Sequence, residues 1–246
     1  MYIIDASLRS AFYSALVLPG RRAIKTLRTY PFSNRKITNM QDIELAIAEI
    51  YNSGIIFPRG LLAKRTGTPN VSSIISGLGN KVYNYFNQKP NTANNQLNFD
   101  KFHDDLCQYF ISSLNAQRSR IGLANITYGQ AQKLINVMFK YLSCYGDYNN
   151  FADLFSYCHM PIDTIILDSL GSYYGVKSIS SKKYKGKCWT KFDRSTYMSL
   201  VSDYRSAISG LKGNHSYLAV EFYIWRGVTK FPSKGLHAAS ILDFYS

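Results

Sequence analysis

Acidic side chains are scarce in this chain of 246 residues: 15 Asp and Glu stand against 29 Lys and Arg, for a formal net charge of +14. The four cysteines, Cys107, Cys144, Cys158 and Cys188, form no CxxC pair. That spacing excludes a zinc ribbon or a four-cysteine iron–sulfur loop and points to buried, reduced thiols. No run of about 18 apolar residues exists. The apolar stretch Met1 to Leu18 is broken by Asp5 and Arg9 before any cleavage site, so a soluble, unsecreted, cytoplasmic protein with no membrane partner is expected. Walker, Rossmann and nucleophile-elbow patterns are missing. So is the Arg-to-His spacing of helical ribonucleases, and neither His103-Asp104-Asp105 nor Cys158-His159 has a second ligand pair nearby to complete a metal site. No cofactor and no metal are expected.

What is present is apolar and aromatic. Hydrophobic residues make up 46% of the chain, and 20 Tyr and 14 Phe raise the aromatic share to 15%, which excludes wholesale disorder. A chain of this length buries a sizeable core without staples. The positive charge is grouped: Arg9, Arg21, Arg22, Lys25, Arg28, Arg35 and Lys36 face no acidic residue between Ala6 and Gln41, and Lys177, Lys182, Lys183, Lys185, Lys187, Lys191 and Arg194 are opposed only by Asp193. Like charges grouped this way repel until an acidic polymer neutralises them, so nucleic acid is the expected partner.

The apolar periodicity is helical. Ile43, Ala46, Ile47, Ile50 and Tyr51 predict a helix over Met40 to Tyr51, with Thr38 and Gln41 at capping-box spacing. Further helices are expected over Phe102 to Leu114, Tyr128 to Ser143, from Asp163 onward, Thr196 to Ser209, and Ser216 to Arg226. Between Asn52 and Asn98, repeated Gly and Pro argue for short helices and long loops, with a linker over Asn87 to Asn98. The fold expected is all-α or nearly so, as two packed helical subdomains with a cleft. An N-terminal basic part would cover 1–90 and a catalytic part 99–246, within one compact monomeric unit.

The helix from Tyr128 carries the chemistry of most interest. Thr127 and Gln130 have capping-box spacing. Ala131, Ile135, Met138 and Leu142 share one face, and Lys133 lies about 200° around the helix from Ala131, beside Asn136 and Lys140. A lysine near the positive end of a helix, or in a low-dielectric cleft, is more often the free amine that attacks electrophiles. Thirty residues on, Met160-Pro161-Ile162-Asp163 brings an extended Pro-containing approach to an aspartate placed to N-cap the next helix. Glu221, alone in an apolar helix, reads as a buried carboxylate anchoring an arginine.

Gly129-Gln130-Ala131-Gln132-Lys133, followed by Met160-Pro161-Ile162-Asp163, resembles the helix-hairpin-helix DNA glycosylase superfamily, and within it the archaeal 8-oxoguanine glycosylase and OGG-like branch. The likeness runs from Arg120 to Leu170. The hairpin glycine pattern of that family is replaced here by Arg120-Ile121-Gly122-Leu123-Ala124-Asn125-Ile126-Thr127-Tyr128-Gly129. The resemblance implies a glycosylase that excises a damaged or hypermodified base, in repair or in defence against phage, with Schiff-base (AP lyase) chemistry. Lys133 would be the nucleophile and Asp163 its partner. Tyr128, Gln130 and Trp189 would meet the extruded base, and Arg120, Gly129, Lys182, Lys183, Lys185 and Lys187 the DNA backbone. The alternatives are a non-enzymatic helical nucleic-acid binder and a protein-binding adaptor or inhibitor.

Overall fold

The computed structural model describes residues 40–53, 56, 70–87, 96–143, 152–172, 184, 188–209, and 217, 218, 220, 221 and 224. The seven basic residues of the N-terminal cluster, Thr38, Cys144, and Lys182, Lys183, Lys185 and Lys187 lie outside them. Helix accounts for 82% of the described residues and no strand occurs among them, so the class is all-α as expected. None of these helices is long and apolar enough to cross a membrane.

The elements are α1 (Met40–Ser53), α2 (Ser72–Asn87), α3 (Gln96–Arg120), α4 (Tyr128–Leu142), the short α5 (Ala152–Ser156), α6 (Thr164–Ser172), a 3-10 turn (Trp189–Lys191) and α7 (Arg194–Ser209). Tyr217, Leu218, Val220, Glu221 and Ile224 are helical as well. One apolar cluster runs from Ile43 to Ile224 and draws on every helix.

Two differences from the sequence reading have a physical cause. The segment expected to hold short helices contains the 16-residue α2, whose buried stripe Ile74, Leu78, Val82 and Phe86 repeats every four residues. Its glycines are contact points: a methyl group at Gly77 would overlap the Tyr109 hydroxyl of α3, and one at Gly79 would press on the Glu44 side chain of α1. The linker expected over Asn87 to Asn98 is shorter, because Asn87 ends α2 and Gln96 already begins α3. There the Gln96 side-chain amide donates to Asp100 Oδ1 at 2.9 Å and to the Tyr157 carbonyl at 2.8 Å.

The passage from α3 to α4 turns at Gly122, whose φ of 68° favours glycine. Arg118 Nε donates to the Ala124 carbonyl at 2.6 Å, and Asn115 Oδ1 accepts from the Ile126 N–H at 2.7 Å. These bonds deliver the chain to Thr127, which caps α4. Its hydroxyl oxygen accepts from the Gln130 N–H at 3.2 Å, and its own N–H donates to Gln130 Oε1 at 3.0 Å. The expected capping box is therefore formed.

Helix α4 packs against α1, α3, the 3-10 turn and α7, and all its residues from Tyr128 to Leu142 are buried. The sequence placed Lys133, Asn136 and Lys140 on a face turned away from the core. That face is buried too, and each of its three side chains meets a group brought from far along the chain.

Candidate active site

Lys133 sits in the second turn of α4, and Asp163 begins α6. Asp163 caps that helix as its position predicts: its Oδ1 accepts from the Ile166 N–H at 2.9 Å, and its carbonyl accepts from the Leu167 N–H at 2.9 Å. The other carboxylate oxygen, Oδ2, is left to face Lys133 Nζ at 2.7 Å. One carboxylate thus serves the helix with one oxygen and the lysine with the other. The Lys133 side chain is 10% exposed and that of Asp163 24%, so the pair opens to solvent on the aspartate side.

The segment leading to Asp163 is held from α4 by three side chains on three successive carbonyls. Asn136 Nδ2 donates to the Met160 carbonyl at 3.1 Å, Lys133 Nζ to that of Pro161 at 3.2 Å, and Gln132 Nε2 to that of Ile162 at 2.9 Å. Gln132 Oε1 accepts from the Ile162 N–H at 3.2 Å and from Asn136 Nδ2 at 2.9 Å. Both main-chain groups of Ile162 are therefore paired with one amide. A buried segment that belongs to no helix needs such partners, because an unpaired buried backbone group costs about 1–3 kcal/mol. Gln132 was not singled out from the sequence. Its signal was a second amide one turn before Asn136, in a helix that is otherwise apolar on most faces.

Behind the clamp, a polar chain crosses the core. Asn136 Nδ2 lies 2.9 Å from the Tyr197 hydroxyl, which lies 2.9 Å from His159 Nδ1, and His159 Nε2 lies 2.9 Å from Asp100 Oδ1. Burial lowers the His159 pKa against the opposing pull of Asp100. With the ring neutral, one nitrogen carries the proton and the other accepts; Asp100 Oδ1 and Arg205 Nη2 both stand 2.9 Å from Nε2. Burial pushes the Asp100 carboxyl up, but hydrogen bonds from Arg205, His159 and Gln96 outweigh it and hold the group well below the usual range. Arg205 grips both Asp100 oxygens, at 2.6 and 2.7 Å. His103, its ring centroid 4.2 Å from that of His159, is lowered by burial and by that neighbour.

Further along the polar face of α4, Lys140 Nζ meets Glu221 Oε1 at 2.8 Å and Oε2 at 2.6 Å, with each side chain 3% exposed. The expected arginine partner of Glu221 is thus a lysine. Burial raises the Glu221 pKa, opposed chiefly by Lys140.

Tyr128 is buried, and its hydroxyl donates to Asp104 Oδ1 at 2.9 Å; burial, with Cys107 and Asp104 nearby, keeps that hydroxyl protonated. Gln130 is engaged by the cap, and its Nε2 donates to the Ile56 carbonyl at 3.0 Å. Gly129 is buried, with its N–H on the Phe192 carbonyl at 2.9 Å. Trp189 is half-buried in the 3-10 turn beside Gly129, and Arg120 is exposed at the end of α3. The structure therefore brings together Lys133 and Asp163, and places Tyr128 and Gln130 in the packing that supports the start of α4. Among the described residues, no group of three or more His, Cys, Asp or Glu side chains could hold a metal ion. No family model, no curated protein and no solved structure matches the chain.

Proposed function

We propose that the protein is a DNA N-glycosylase with lyase ability, of the helix-hairpin-helix glycosylase kind, acting on a damaged or hypermodified base extruded from duplex DNA. The observation that carries the reading is the 2.7 Å contact between Lys133 Nζ and Asp163 Oδ2, each residue at the start of its own capped helix and the pair open to solvent on one side. The grouped basic residues supply the attraction for phosphates. With the Gly129 N–H engaged by Phe192, backbone contacts fall to Arg120 and the lysines from Lys182 to Lys187.

In this reading Lys133 passes one proton to Asp163, and the freed lone pair attacks the anomeric carbon of the extruded nucleotide. The bond from that carbon to the base breaks, the electron pair leaves with the base, and the proton held by Asp163 follows it. A second amine proton ends on the ring oxygen as the sugar opens, and the third stays on the protonated Schiff base. Asp163, again a carboxylate, stabilises the positive charge on the sugar. Loss of a proton from the carbon next to the imine then breaks the bond to the 3′ phosphate oxygen, and water releases Lys133.

The test is to incubate the protein with duplexes carrying a panel of modified bases and reduce with borohydride. A covalent protein–DNA adduct that vanishes in Lys133→Ala is expected. DNA binding with neither base release nor adduct across the panel would establish the non-enzymatic binder instead. Base release with no adduct would mean that water is the nucleophile, in which case Asp163→Asn becomes the damaging change.

A further inference from the structure

We propose that Gln132 is a positioning residue for this reaction: resting on the glycosylase reading, it sets where the Asp163 carboxylate stands by holding the main chain one residue before it. Its Oε1 accepts from the Ile162 N–H and its Nε2 donates to the Ile162 carbonyl, so the Ile162 main chain is gripped at both ends by one planar group. The amide is itself fixed. Nε2 also donates to the Gly129 carbonyl at 2.9 Å and Oε1 accepts from Asn136, leaving Gln132 no freedom to rotate without breaking several bonds at once. It is fully buried and touches no solvent, which fits a residue that acts through the chain and not on the nucleotide.

The clamp acts unequally on the two reacting groups. Lys133 belongs to α4 and keeps its place in that helix whatever happens to the segment opposite. Asp163 is carried to the lysine by Met160–Ile162 on one side and held by its cap on α6 on the other. Loosening the clamp therefore displaces the carboxylate more than the amine, and a misplacement of about 1 Å in a reacting group lowers a rate on the order of 100-fold. The base-release step needs both groups. Capture of an aldehyde that is already present at an abasic site needs mainly the amine.

The experiment compares two substrates under single-turnover conditions at saturating protein: a duplex carrying the base that the wild type releases, and the same duplex with a preformed abasic site, trapped by borohydride. For Gln132→Met, base release is expected to fall about 10- to 100-fold while trapping at the abasic site falls less than about 3-fold and DNA affinity is unchanged. Gln132→Glu carries the same expectation, because it keeps the shape and the acceptor but turns an oxygen toward the Ile162 and Gly129 carbonyls; either variant suffices if the other fails to fold. Val82→Ala, in the α2 core, controls for destabilisation and is expected to lower the melting temperature without changing the ratio of the two rates. Equal loss on both substrates, or none on either, in a folded Gln132 variant overturns the inference. Absence of base release by the wild type on every modified duplex overturns the glycosylase reading on which it stands, and is recognised before any variant is made.

Discussion

Gly129 lies so close to Trp189 that a methyl group on it would overlap the Trp189 carbonyl oxygen. The 3-10 turn is thereby seated directly on the first turn of α4, with the Thr127 hydroxyl donating to the Thr190 carbonyl at 2.5 Å and the Gly129 N–H to that of Phe192. Gly129→Ala should cost about 1–3 kcal/mol, because the obstacle is backbone and cannot swing aside. Gly122→Ala has open space around it and should cost only about 1 kcal/mol, for the positive φ alone. Urea denaturation of the two variants checks the order.

Salt dependence tests the basic cluster. Changing Lys182, Lys183, Lys185 and Lys187 together to Gln should weaken binding to duplex DNA and flatten the plot of log affinity against log salt. The slope should fall by up to about 0.9 for each lysine that contacts a phosphate. Base release at saturating protein should persist, since none of the four belongs to the Lys133–Asp163 pair. An unchanged slope in a fluorescence-anisotropy titration would assign the DNA contacts to other residues.

Acid stability should reveal the two buried histidines. Both have folded-state pKa values lowered by burial. Below about pH 6.5 the unfolded chain therefore takes up protons that the folded one refuses, and stability falls as pH falls. Each histidine contributes a slope of up to about 1.4 kcal/mol per pH unit. Asp100, held low, adds to the loss once pH drops below the ordinary carboxylate range. Glu221 works the other way, since a raised pKa means stability declines as pH rises from about 4.5. His103→Phe keeps a ring among Phe99, His159 and Tyr197 while removing one titration. It should reduce the acid slope by about one proton when urea midpoints are compared between pH 5 and 7.

The pair formed by Lys140 and Glu221 should behave as a buried ion pair. Glu221→Gln leaves the Lys140 ammonium against a neutral amide and should cost about 3–5 kcal/mol. Lys140→Met combined with Glu221→Leu should recover most of that loss. A double-mutant cycle by chemical denaturation gives the coupling directly.

The sequence disclosed local features well and distant ones poorly, and α4 shows both. The Thr127 to Gln130 box and the Asp163 cap each link residues three positions apart, complete within the turn that uses them, and both form as read. The apolar stripe of Ala131, Ile135, Met138 and Leu142 was equally plain. The opposite face looked solvated because its partners, Asp163, Met160, Tyr197 and Glu221, lie 24–81 residues away. Nothing in a helical period announces them. Helix α2 was hidden for another reason: Gly77 and Gly79 ordinarily weaken a helix, and here they admit Tyr109 and Glu44 to its surface. Tyr128 and Gln130 stand close to the lysine in sequence, whereas Asp104 and Ile56 occupy their polar groups.

The Asp100 carboxylate joins the second turn of α3 to His159, 59 residues on, and to Arg205, 105 residues on. Arg205 belongs to α7, near the end of the described chain, yet it anchors the network that reaches Met160 and the clamp before Asp163. During synthesis, Lys133 and Asp163 both leave the ribosome well before that anchor exists. The arrangement around them is completed only once α7 has been made and has docked, so a truncated or partly synthesised chain carries Lys133 and Asp163 without the full set of bonds that holds them in register.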